Sequence, residues 1–131
     1  MQKDFIPFTE ALELKKLRFE KLCYAYVYTG DTGSNIDRMC YISPDLSMNW
    51  NEDSLCVSIP TWSSVFDWFE REFNLYSSNF HSFYECFVEY GFYIHTLDGR
   101  IILSEGDYPT SLEAKISCLK KLIEIAKKKP L

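Results

Sequence analysis

Basic residues are scarce through most of this chain: residues 1–119 hold nine lysines and arginines against eighteen carboxylates, a net of −9. A body of that sign repels phosphate backbones, so general nucleic-acid binding is disfavoured. Histidine occurs only twice, at His81 and His95, and no Cys-x-x-Cys or His-Glu-x-x-His string is present. No zinc framework or metal centre is therefore expected. The five glycines include no phosphate-cradling loop, and the acidic stretch 45–53 lacks the alternating oxygen ligands of a calcium loop. No cofactor is expected. Apolar runs stay well short of the roughly 18 residues that span a bilayer. Residues Met1–Phe8 contain no apolar h-region, which predicts a chain without a secretory signal. The five cysteines, odd in number and widely spaced, then read as reduced thiols of a cytoplasmic protein. Cys86 and Cys118 sit among apolar neighbours in sequence, a setting in which a thiol is inert.

What the chain has in excess is aromatic surface: ten Phe, nine Tyr and three Trp, or 17% of its 131 residues. Part of this fills a core, and the remainder suits a binding surface, where Tyr and Trp are enriched. The length is that of one domain spanning 1–131.

Local patterns predict α+β, with three amphipathic helices on a small antiparallel sheet of four to six strands, in the order α-β-β-β-α-(β)-β-β-α. Thr9 reads as the N-cap of the first helix. Strands follow at Leu22–Tyr28 and Arg38–Ile42, separated by turn residues. A polar loop, Ser43–Ser54, carries one apolar anchor, Trp50, and Leu55–Ile59 is a third strand ended by Pro60. Thr61 caps a helix whose stripe is Trp62, Val65, Phe66, Phe69 and Phe73, with Trp68 about 120° away. Asn74–Ser82 reads as loop, and Phe83–Tyr90 as an edge strand or irregular segment.

Asp98-Gly99 predicts a two-residue type I′ hairpin. Its register would pair Leu97 with Arg100, Thr96 with Ile101, His95 with Ile102 and Ile94 with Leu103. Phe92, Ile94, Ile101 and Leu103 then form the core face, and Tyr93, His95, Arg100 and Ile102 the opposite one. In the last helix Thr110 and Glu113 form a capping box, Leu112, Ile116, Leu119, Ile123 and Ala126 a buried stripe, and the terminal lysines complement the carbonyl end.

Chemistry is thin. Asp31-Thr32-Gly33 is the aspartic-protease string, and a single copy would require a dimer to supply the second carboxylate. It lies in a run of turn residues, away from the apolar strand end that such a site requires. Tyr93, His95 and Arg100 on one open face could stack on a base or clasp a phosphate. Trp50, Trp68 and Tyr93, with neighbouring tyrosines, are the candidates for an aromatic docking surface.

Three stretches carry a resemblance. They are Asp4-Phe5-Ile6-Pro7-Phe8 with Glu10-Ala11-Leu12, then Pro60-Thr61-Trp62 with Phe66-Asp67-Trp68-Phe69-Glu70, and finally Cys118-Leu119-Lys120-Lys121-Leu122-Ile123-Glu124. Together they resemble a group of small uncharacterised proteins carried by phages and prophages of gut anaerobic bacteria. Members commonly have Gly at the position of Arg18. The group has no assigned activity, so the resemblance implies only a context, a phage accessory protein made inside a bacterial cell. The expectation is thus a non-catalytic module that binds a host or phage protein. A small-ligand or nucleotide-binding protein using Tyr93, His95 and Arg100 is the alternative, and a dimeric Asp31 protease a remote third.

Overall fold

The computed structural model describes residues 4–29, 40–42 and 47–128. The chain forms two compact units, Met1–Val65 and Phe66–Leu131. The described elements are three helices and two three-stranded antiparallel sheets, an α+β architecture in the expected order. The strands divide between two small sheets, where the sequence predicts a single sheet of four to six.

In the first unit α1 (Phe8–Lys16) begins one residue before Thr9, with Pro7 at the N-cap position and no side-chain cap. The Thr9 hydroxyl instead donates to Glu10 Oε1 at 2.9 Å. The helix ends in a Schellman motif, in which Phe19 N–H returns to the Leu14 carbonyl and Arg18 takes the left-handed conformation, φ 68°. Strands β1 (Ala25–Tyr28), β2 (Cys40–Ile42) and β3 (Cys56–Ile59) form a sheet in the order β2-β1-β3. β1 and β3 are shorter than their hydrophobic runs, and residues 38–39 of the second expected strand lie outside the described residues. Leu22 lies outside β1, and Cys23 pairs only with Met48, as an isolated bridge. Ala11, Leu14, Phe19, Ala25, Val27, Val57 and Ile59 are buried.

The polar stretch before β3 is built rather than loose. Trp50–Glu52 is a 3-10 turn capped by the Asn49 side chain. Asn51 donates through Nδ2 to the Phe19 carbonyl (3.0 Å) and accepts the Ser58 N–H on Oδ1 (2.8 Å). Lys15 Nζ donates to the carbonyls of Asp53 (2.9 Å) and Cys56 (2.5 Å), tying α1 to the same stretch.

Helix α2 (Trp62–Phe73) follows Thr61, whose hydroxyl accepts the Ser64 N–H. Of its expected stripe, Trp62, Val65, Phe69 and Phe73 are buried, while Phe66 is half-buried. Asn74, also left-handed (φ 55°), ends the helix.

The second unit's sheet is a meander of β4 (Tyr76–Tyr84), β5 (Phe87–His95) and β6 (Ile101–Tyr108). The stretch Asn74–Ser82, expected as loop, is mostly strand. Its Ser-Ser-Asn core offers no β-branched signal, and pairing with β5 along all nine residues overrides local preference. Helix α3 (Ser111–Lys128) packs on the face holding Phe92 and Ile94. Thr110 Oγ1 accepts the Glu113 N–H at 3.1 Å, one of the two bonds of the expected capping box. The buried stripe is Ala114, Cys118, Leu119, Leu122, Ile123 and Ala126, so it is rotated from the expected one and leaves Leu112 exposed. Small Ala114 and Cys118 face the sheet because they allow close approach, which the larger apolar side chains alone did not reveal.

Candidate functional site

In an antiparallel pair, residues directly opposite each other share a face. On β4 and β5 the open face therefore carries Tyr76 with His95, Ser78 with Tyr93, and Phe80 with Gly91. The rings of Tyr76 and His95 stack at 5.9 Å, and those of Phe80 and Tyr93 lie 4.8 Å apart. Phe80 covers Gly91, where an added Cβ would collide with the Phe80 ring, the Glu105 carbonyl and the Gly106 Cα. Glycine is required there by this close approach.

His95 is held at both ring nitrogens. Nδ1 lies 2.9 Å from the Thr96 carbonyl, which can only accept, so Nδ1 carries a proton. In the neutral ring Nε2 is then an acceptor, and it faces the Ser78 hydroxyl at 3.3 Å. Ser78, Tyr93, His95, Gly99 and Ile101 line a concavity of about 320 Å³. A serine, a histidine base and an orienting carbonyl are three parts of an acyl-transfer site, and the fourth part is an oxyanion hole. Three nearby amides are already engaged: Gly99 N–H with the Thr96 carbonyl, Thr96 N–H with the Arg100 carbonyl, and Arg100 N–H with Thr96 Oγ1.

Arg100 does not join Tyr93 and His95. The hairpin loop has three residues, Leu97-Asp98-Gly99, and not two. Gly99 is left-handed (φ 88°) whereas Asp98 is not, so the type I′ turn is ruled out in favour of a type I turn with a glycine bulge. Thr96 consequently faces Arg100, and His95 pairs with Ile101, while Ile94 pairs with Leu103 as expected. Ile102 is the extra residue of a second bulge. Ile101 thereby moves from the expected core face to the open face and is 59% exposed. Arg100 lines a different concavity, of about 380 Å³, with Asn74, Thr96, Leu97 and Asp98. The Thr96 hydroxyl, followed by the Arg100 backbone N–H, holds the Asp98 carboxyl below its ordinary value.

The two candidate tryptophans have structural duties. Trp68, at 2% exposure, is a core residue whose ring meets Phe69 and Phe73 edge-on, so it offers no docking surface. Trp50 is half-buried; its Nε1 donates to the Cys23 carbonyl at 2.8 Å and its ring stacks on Tyr26 at 4.0 Å. Tyr41 stacks on the other partner of this ladder, Tyr26, at 5.5 Å, and is itself exposed. Tyr93 is 37% exposed and is the one candidate aromatic that remains at the surface beside His95.

The most exposed aromatic surface was not anticipated. β6 pairs with β5 only from Tyr90 to His95, so the end of the β4–β5 ribbon continues as two strands. It closes at Glu85-Cys86, with Glu85 left-handed (φ 54°). Phe83 is 76% and Phe87 65% exposed, and Val88, opposite Phe83, is exposed as well. Glutamate and cysteine are not turn residues, so nothing local marks the tip. Alternation in Tyr76-x-Ser78-x-Phe80 marks β4, and the stretch Phe83–Tyr90, expected as an edge strand or irregular segment, is split by this turn between β4 and β5.

Near the same end, Glu89 and Asp107 form a carboxylate pair. A hydrogen bond from Glu89 to Asp107, then the Asp107 charge, raises the Glu89 carboxyl above its ordinary value. Burial pushes the Cys23 thiol up to about 11 and the Cys118 thiol up to about 12. Cys86, expected to be inert, is exposed at the ribbon tip. Among the described residues, no group of three or more His, Cys, Asp or Glu could hold a metal ion. No described helix is long and apolar enough to cross a membrane. The Asp31-Thr32-Gly33 string lies outside the described residues.

No family model, curated protein or solved structure matches the chain.

Proposed function

We propose that this protein is a non-catalytic interaction module whose β4–β5 ribbon tip inserts aromatic side chains into an apolar cleft of a protein partner. The observation that carries this reading is the exposure of Phe83 and Phe87 on a two-stranded extension that β6 does not cover. Burying each such side chain contributes roughly 1.5–3 kcal/mol. Interfaces concentrate their energy in a few large anchors of this kind. Pairing of β4 with β5 along all nine residues holds these two side chains on a defined ribbon. The phage resemblance makes the partner a host or phage protein in the bacterial cytoplasm. Engagement of the Thr96, Gly99 and Arg100 amides beside Ser78 and His95 supports the non-catalytic part of the reading.

Affinity capture from host cells, comparing the wild type with Phe83→Ser/Phe87→Ser, tests the proposal. The double variant should keep its thermal midpoint and lose any partner that the wild type retains. Equal retention by both proteins would overturn it.

A second reading is favoured by the concavity at Ser78, Tyr93 and His95, which could take a small planar ligand such as a nucleobase. Perturbation of the His95 ring signals on titration with nucleotides is the outcome it requires. Without Arg100 on that face, the reading lacks a phosphate clasp.

A further inference from the structure

The sheet order β4-β5-β6 leaves β4 at an edge, with one row of backbone donors and acceptors unpaired in that sheet. Edge strands in soluble proteins are ordinarily blunted by shortness, charge, proline or a bulge. The other described edges follow that rule. β2 and β3 have three and four residues. β6 carries Glu105 and Asp107 and is interrupted by two register shifts against β5. β4 has none of these devices. It runs for nine residues, pairs with β5 without a break, and contains no Lys, Arg, Asp, Glu or Pro from Tyr76 to Tyr84. Ser78, Asn79, His81, Ser82 and Phe83 are exposed, so the edge is open to solvent along most of its length.

We infer that β4 pairs antiparallel with β4 of a second copy of this chain across a two-fold axis, joining two three-stranded sheets into one of six. Charge selects that occupant. A chain of net charge −5 repels its own copies over most of its surface, but two neutral strands meet without like charges opposed. An antiparallel pair is self-complementary about a two-fold, and among the described residues β4 is the single unguarded edge, so the assembly closes at two. The pairing uses the backbone edge of β4. The proposed docking tip uses the Phe83 and Phe87 side chains, so the two inferences can fail separately.

The test is sedimentation velocity of the full chain over a wide concentration range, with Asn79→Lys/Ser82→Lys as the variant. Wild type should pass from 15.4 kDa to a species of twice that mass as concentration rises, and the double-lysine protein should stay monomeric. Monomer at all concentrations, a dimer unaffected by the lysines, or a larger assembly would each contradict the inference. Should the lysines unfold the chain, amide exchange on the wild type decides. Slower exchange in β4 at high concentration than at low supports the pairing, and concentration-independent exchange refutes it.

Discussion

Arg18 holds a conformation that its side chain disfavours. A non-glycine residue in the left-handed region costs about 1–2 kcal/mol, and the glycine alternative loses about 0.5–1 kcal/mol of that gain to chain entropy. Arg18 is exposed, so its replacement removes no buried contact. Arg18→Gly should therefore stabilise the protein by about 0.5–1 kcal/mol, measured by urea unfolding; an unchanged or lower midpoint would contradict the Schellman assignment. The thiols give a second residue-scale expectation. Cys23 and Cys118 have folded pKa values raised to about 11 and about 12, against about 9 for an unburied thiol. Their contribution to stability is fully present below about pH 9, where both folded and unfolded states are protonated. Above that the unfolded state releases protons first, so stability falls from pH 9 through 11–12. Cys118→Ala should flatten that fall when melting midpoints are followed over the same range. In the folded protein at neutral pH, a thiol reagent should modify Cys86 rapidly and spare Cys118, a difference read by peptide mass mapping.

At the scale of elements, what the sequence made legible was periodicity and capping. The order of helices and strands, the α2 stripe and the Thr110 cap all follow from them. What it concealed was decided by tertiary pairing. The three-residue loop at Leu97-Asp98-Gly99 uses the same Asp-Gly pair as a two-residue turn, and only the φ of Asp98 separates the two. That one-residue difference moved Ile101 to the open face and separated Arg100 from His95, so the predicted trio became a pair. β4 was hidden because its serines and asparagine look like loop, and Ser78, the hydrogen-bond partner of His95, was hidden with it. Trp68 was ambiguous because the buried arc of α2 is wider than the stripe of Trp62, Val65, Phe69 and Phe73 and extends to it. The sheet's own demand is sharpest at Gly91, whose missing Cβ admits the Phe80 ring and the β6 backbone. Gly91→Ala should cost about 3 kcal/mol by denaturant unfolding, since the Glu105 carbonyl cannot move aside without disturbing β6. A loss below about 1 kcal/mol would show that β6 yields there.

For the molecule as a whole, the aromatic excess has divided into two roles. Trp68, Phe69, Phe73 and Phe92 are buried, while Tyr41, Phe83 and Phe87 stay at the surface. An exposed phenylalanine at the end of a polar ribbon gains nothing for folding, and this is why the functional reading rests there and not on the tryptophans. The most direct test is to place a photo-crosslinking benzophenone side chain at Phe83 and, as a control, at exposed Leu112, then irradiate host cells producing each protein. Position 83 should give a discrete adduct with a partner, diminished by Phe87→Ser, while position 112 gives none. No adduct at 83, or the same products from both positions, would contradict a docking tip.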